Sequence, residues 1–170
     1  MIELAKAQGM AEKIVAAMAP YCERIAVAGS IRRLRPMVGD IDIVVLPKPD
    51  QLRAFRLRCK QNATVVSDGD QNLILTLKSG VQLDIWIASH AEKELLDTRP
   101  CNFGSLLLCR TGSIKHNIHL VQHAKSVGLV WNPYWGVFAP HGRRALASET
   151  EEDIFKALKL DFVPPERRER

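Results

Sequence analysis

AGSIRRLRPMVGDIDIVVL, residues 28–46, is the stretch from which the rest of the chain is read. Its second half, Gly39-Asp40-Ile41-Asp42-Ile43-Val44-Val45, sets two carboxylates two residues apart at the head of an apolar, β-branched run. Such a run predicts a strand over 39–46. Alternate residues of a strand share a face, so Asp40, Asp42 and Val44 point one way and Ile41, Ile43 and Val45 the other. Two like charges on one face repel, and a cation between them removes the conflict. For carboxylate oxygens the hard cation is Mg²⁺, with Mn²⁺ also suited to oxygen ligands. Upstream, Gly29-Ser30 breaks the short apolar run over 24–28 and is followed by Arg32 and Arg33. A strand, a small turn and then cations make a cradle for phosphate, because the backbone N–H groups of the turn face the anion. A phosphate site beside metal-binding carboxylates implies nucleotidyl transfer.

Composition sets the outer bounds. With 170 residues, the chain can form one domain or two small subdomains with a sizeable core. A hydrophobic share of 46% and a charged share of 25% are those of an ordinary globular protein. The net charge of +5 inclines towards polyanionic partners, although many basic proteins bind no nucleic acid. Cys22, Cys59, Cys101 and Cys109 show no C-x-x-C spacing and read as reduced thiols of an intracellular, cytoplasmic protein rather than a disulfide frame or a zinc site. No signal-peptide pattern and no run long enough to span a bilayer is present, so no membrane partner is expected.

Periodicity predicts a helix over 2–18, ended by Pro20, and a first strand over 24–28. Asp50 is the expected N-cap of a basic helix through Lys60, whose Arg53, Arg56, Arg58 and Lys60 read most simply as a solvated cationic face. Runs 72–78 and 81–88 form a hairpin about a two-residue Ser79-Gly80 turn. Its second arm carries Asp84, with Leu83, Ile85 and Ile87 on the opposite face. A lone carboxylate there is costly to bury unless paired or metal-bound. Should that arm lie beside the Asp40/Asp42 strand, three carboxylates converge. Helices over 102–109 and 113–127 follow, separated by Thr111-Gly112, a turn able to present N–H groups to a sugar or phosphate. His116, His119 and His123 share one helix face, expected to meet solvent or nucleic acid, and no adjacent Cys or acid completes a zinc set. Short strands are expected over 129–131 and 135–139. Ser148 or Thr150 then caps a last helix to about 158, with Glu151 or Asp153 three residues on, and the tail 164–170 reads as polar and extended.

At this point the residues resemble a family. Gly29-Ser30-Ile31-Arg32-Arg33 followed by Gly39-Asp40-Ile41-Asp42 is similar to the G-S-x-R-R…G-D-x-D pattern of the family X DNA polymerases, the DNA polymerase beta group. Asp84 in Leu83-Asp84-Ile85-Trp86 matches the family's third carboxylate. The run from Gly104 through Arg110-Thr111-Gly112-Ser113 resembles its helix leading into a T-G-S turn, and Trp131-Asn-Pro-Tyr134-Trp-Gly-Val-Phe138 resembles its L-N-x-Y-G-L-F strand. In size and layout the chain resembles the minimal viral members, with no room for the lyase and fingers domains.

The resemblance implies an α/β (α+β) fold: a mixed, mostly antiparallel palm sheet flanked by helices over 1–112, and a small α+β nucleotide-binding subdomain over 113–170. It implies a template-directed DNA polymerase for gap filling or repair, acting with two Mg²⁺ on a dNTP and a primer–template or gapped duplex, with no protein partner. Asp40, Asp42 and Asp84 are then the catalytic metal ligands, and Gly29, Ser30, Arg33 and Gly39 hold the triphosphate. Gly112 belongs to the same nucleotide site, and Asn117 sits where the family sets an asparagine against the incoming nucleotide. Cys109 and Arg110 replace the aromatic pair before T-G-S in larger members and become the candidates for sugar selection. The alternatives are a small nucleotidyltransferase that adds nucleotides without a template or to a small-molecule or protein acceptor, and a non-catalytic nucleic-acid-binding module.

Overall fold

A computed structural model describes residues 1–93, 98–142 and 144–169. The chain divides into two compact units, Met1–Ala88 and Ser89–Arg170. The functional division expected at 112/113 lies within the second unit.

The first unit runs β1 (Ile2–Glu3), α1 (Leu4–Met18), β2 (Cys22–Val27), α2 (Gly29–Arg32), β3 (Met37–Val38), β4 (Asp40–Pro47), α3 (Leu52–Lys60), β5 (Ala63–Asp68), β6 (Asn72–Leu77) and β7 (Gln82–Ile87). Five strands form one sheet in the order β2-β4-β7-β6-β5, while β1 pairs with β3. The β4–β7 pair is parallel and the other three are antiparallel, so the sheet is mixed and mostly antiparallel, as expected. A parallel pair needs a long crossover. Here α3, β5 and β6 supply it. Ile41, Ile43 and Val45 of β4 enter the core with Ala7 and Ala11 of α1 and Phe55 of α3. Their burial orients the strand and turns Asp40 and Asp42 to the other face.

Several local expectations shift. Gln51, not Asp50, is the N-cap of α3, and it makes no side-chain capping bond. The turn closes from Gln51 N–H to the Lys48 carbonyl at 2.9 Å, which carries the chain one residue further before the helix starts. The hairpin loop holds three residues rather than two. Leu77 N–H donates to Val81 O at 2.9 Å and Gly80 N–H to Leu77 O at 2.8 Å, with Gly80 at φ 80. Strand β5 was not expected. It is an edge strand whose register slips between Val65 and Ser67, leaving Val65 and Val66 both exposed and erasing the alternation that marks a strand.

The second unit holds β8 (Glu92–Lys93), β9 (Thr98–Arg99), α4 (Phe103–Thr111), α5 (Ile114–Ser126), β10 (Val130–Asn132), β11 (Gly136–Phe138), β12 (Ala145–Ala147) and α6 (Glu151–Ala157). β8 pairs with β9, and β10, β11 and β12 make a three-stranded sheet, one strand more than expected. Leu108, Leu120, Trp131, Val137, Ile154 and Phe155 anchor its core. Between the two expected caps of α6, Thr150 serves. Its hydroxyl accepts from Asp153 N–H at 3.1 Å and donates to the Asp153 carboxylate at 2.7 Å.

Two expectations are corrected here. The tail is not extended: Pro165–Arg167 form a 3₁₀ turn and Arg168 is fully buried, while Arg170 lies outside the described residues. The three histidines do not share a solvent face either. His116 is buried against Phe155, their rings 5.9 Å apart, and His123 Nε2 lies 2.9 Å from Leu158 O, leaving His119 exposed. Face-sharing on a helix spreads over an arc, and α5 lies with one edge of that arc in the core.

Candidate active site

The carboxylate face follows from the β4–β7 register. Asp42 stands directly opposite Asp84, and Asp40 opposite Gln82. In a parallel pair, opposed residues point to the same side of the sheet. Asp40, Asp42, Gln82 and Asp84 therefore share one face, which also carries Val44 and Trp86. Asp84 is buried; Asp40 and Asp42 are half-buried. Gln82 Nε2 donates to Asp84 Oδ1 at 2.8 Å, and Trp86 Nε1 to Asp42 Oδ1 at 3.3 Å. Gln82 and Trp86 were not foreseen, although each sits two residues from Asp84 and the strand period alone puts them on its face.

The turn that follows β2 is built against this face. Ala28 N–H donates to Asp42 O at 2.8 Å, extending the β2–β4 ladder to the first residue of the turn. Gly29 then takes φ 59, and a side-chain carbon there would collide with the Asp42 carboxylate. Only glycine fits both the backbone angle and the contact. Residues 29–32 wind into the short α2, whose first-turn N–H groups have no carbonyl within the helix. Ser30 Oγ is buried and meets no hydrogen-bond partner among the described residues. A buried hydroxyl left unsatisfied costs about 1–3 kcal/mol, so it marks a place where an acceptor oxygen from a ligand fits. Arg33 is the C-cap of α2, its N–H bonded to Gly29 O at 3.3 Å. Gly39 is exposed, and a side-chain carbon there would touch nothing within 4 Å.

Three oxygen-donor carboxylates on one sheet face suit a hard divalent cation in donor chemistry. Among the described residues, however, no three or more His, Cys, Asp or Glu side chains are grouped closely enough to hold a metal ion. The register brings Asp42 and Asp84 face to face, with Asp40 one step along.

The remaining candidates belong to the second unit. Gly112 ends α4 at φ 71 and ψ −154, a region essentially reserved to glycine. Ser113 then caps α5, its hydroxyl accepting from His116 N–H at 3.3 Å. Asn117 Nδ2 donates to Cys109 O at 2.8 Å, which fixes the amide's orientation, while its Oδ1 is buried with no partner among the described residues. Burial raises the Cys109 thiol above its ordinary pKa and keeps it protonated. Arg110 Nη2 donates to the Tyr134 hydroxyl at 3.1 Å, a partner that a residue-by-residue reading does not supply.

Comparison with known proteins adds two findings. Residues 106–169 match the family model described as DNA polymerase beta thumb. Over 145 residues the chain is 28% identical to the DNA polymerase/3'-5' exonuclease PolX of Bacillus subtilis (strain 168), covering 84% of this chain and 24% of that protein. The chain thus spans about a quarter of the length of that curated relative. No helix among the described residues is long and apolar enough to cross a membrane.

Proposed function

We propose that this chain is a family X polymerase-like protein, a DNA-directed nucleotidyltransferase that adds a dNTP to a primer 3′-hydroxyl in short gaps. The observation that carries this is the pairing of Asp42 with Asp84 across β4 and β7, beside a glycine turn whose serine hydroxyl is buried with no partner among the described residues. The primer oxygen attacks the α-phosphorus, the bond to the departing pyrophosphate breaks, and the proton of the 3′-hydroxyl leaves to a base.

Asp42 and Asp84, with Asp40 one step along the strand, would supply carboxylate oxygens to two divalent ions, Mg²⁺ or Mn²⁺, with the substrate phosphates supplying further ligands. Such ions lower the pKa of a bound hydroxyl and neutralise charge on the attacking and leaving oxygens. Gln82 and Trp86 fix the carboxylate rotamers, each donating to one oxygen of Asp84 or Asp42. Ser30 Oγ and the backbone of α2 donate to phosphate oxygens, with Arg33 adding positive charge to the leaving pyrophosphate. Gly29 and Gly39 leave the approach open. In the second unit, the Gly112 turn and the Asn117 amide oxygen bind the nucleotide. That oxygen accepts, so it meets an N–H or O–H of the base or sugar. Arg110, tied to Tyr134, and Cys109 line the stretch where ribose and deoxyribose are told apart.

The test is extension of a primer at a one-nucleotide gap, each dNTP and rNTP offered singly with Mg²⁺ or Mn²⁺, beside Asp84→Asn. Incorporation of the complementary dNTP alone is expected. Loss of a metal-bound carboxylate should lower the rate by about 10³-fold or more, several kcal/mol of barrier at 1.36 kcal/mol per decade. Addition regardless of template, or none at any DNA end, would move the assignment to an untemplated or small-acceptor transferase.

A further inference from the structure

The C-terminal tail reaches the nucleotide-binding turn through one residue. Arg168 is completely buried, and its guanidinium is held on three sides. Nη1 donates to Glu151 Oε1 at 2.7 Å, Nε donates to Val163 O at 2.8 Å, and the group lies 5.6 Å from the ring centre of Phe155 and 5.5 Å from that of Phe162. Glu151 is itself buried, so each charge depends on the other to stay out of water. The backbone of the same residue does a second job. Its carbonyl accepts from Ser113 Oγ at 2.6 Å and from Ser113 N–H at 3.3 Å.

Those two bonds reach into the proposed site. Ser113 is the N-cap of α5, and the hydroxyl that donates to Arg168 O is the one that accepts from His116 N–H. One turn on, Asn117 N–H donates to Ser113 O at 2.9 Å and presents its amide oxygen. A side chain whose rotamer is set by such a neighbour keeps its position; one left to itself does not. A tail with only surface contacts would need no arginine in the core. The burial of this one is explained if it clamps the tail where its carbonyl must sit.

We infer that Arg168 is a positioning residue for nucleotide binding: its buried guanidinium anchors the tail on Glu151, and its carbonyl sets Ser113 and, through α5, Asn117. This rests on the nucleotide role assigned above to Asn117. A contact made alike in the bound complex and the transition state changes KM and leaves kcat alone. A merely structural role lowers the fraction of folded enzyme, which reduces apparent kcat and leaves KM unmoved.

The experiment measures KM and kcat for dNTP on the gapped duplex in wild type, Ser113→Ala, the paired Arg168→Met/Glu151→Gln, and the triple combination. Ser113→Ala leaves the buried ion pair intact, and the paired change leaves no orphan charge, so each is expected to fold. KM should rise about tenfold in each with kcat within about twofold, and the triple variant should be no worse than the paired one, because all act through one contact. Amide hydrogen exchange over 114–117 without nucleotide should quicken in the same variants. Unchanged KM in folded Ser113→Ala and in the paired variant, with wild type active, overturns the inference alone. A wild type that incorporates no nucleotide overturns the proposed function and this inference with it, whatever the exchange rates over 114–117.

Discussion

A methyl group added at Gly29 would meet the Asp42 carboxylate, and the backbone there sits at φ 59. The left-handed angle costs an alanine about 1–2 kcal/mol. The clash falls on the end of a side chain that can swing away, so the fold survives while the carboxylate is displaced. Gly29→Ala should therefore melt only slightly earlier than wild type and lose most of its nucleotidyl transfer. A variant with full activity in single-turnover extension would show that Asp42 need not lie where it does. His116 offers a second test at this scale. Burial, with Arg168 and His119 near by, pushes its pKa down from 6.5 to about 4. The folded state keeps it neutral while the unfolded chain protonates it, so its contribution is complete above about pH 6.5 and is lost as pH falls towards 4. The full loss is on the order of 3 kcal/mol. Urea midpoints at pH 7 and pH 4.5 should fall less in His116→Phe than in wild type; equal falls would mean that other groups govern the acid transition. From sequence, His116 read as a surface residue because its spacing with His119 and His123 was visible and the neighbouring Phe155 was not.

Helix α4 shows how packing reverses a propensity. Gly104 is the second residue of the helix, where alanine is favoured by at most about 1 kcal/mol. A side-chain carbon at that point would run into the backbone of Thr150, the N-cap of α6, which cannot step aside like a flexible side chain. Overpacking of this kind costs about 1–3 kcal/mol, and a rigid backbone neighbour puts it at the upper end. Gly104→Ala should thus destabilise the protein by about 1–2 kcal/mol net in urea unfolding, and any stabilisation would mean that α4 and α6 are less closely packed. On α3 the opposite holds. Arg56 and Lys60 both pair with Asp68, and Lys60 foremost holds that carboxyl below its usual pKa, yet the cluster is solvent-exposed. Asp68→Asn should cost no more than about 1 kcal/mol and matter less as salt rises. The basic helix was legible in the sequence. Its Asp68 partner was not, because β5 was not recognised as a strand.

At the scale of the whole chain, the net charge of +5 is the relevant quantity. Should a duplex be held through about six backbone phosphates, raising monovalent salt from about 50 to 200 mM should weaken binding ~10³-fold. Fluorescence anisotropy of a gapped duplex gives the slope directly, and a flat slope would mean that contacts other than phosphate pairing dominate. The strand alternation of Asp40 and Asp42, the glycine turn at Gly29 and the existence of the hairpin that carries Asp84 were determined by sequence alone, and the cap of α6 was narrowed to Ser148 or Thr150. Each depends on neighbours within about four residues, where strand period, helix period and capping chemistry are local rules. What only the tertiary structure decided is which distant segments meet. β7 lies beside β4 in the register that opposes Asp84 to Asp42, Gly29 packs on that same carboxylate, and Arg168 turns inward to Glu151 instead of trailing into water. Those outcomes depend on which surfaces can be buried together. The free energy of burial belongs to the pair of surfaces, so it is absent from either stretch read alone.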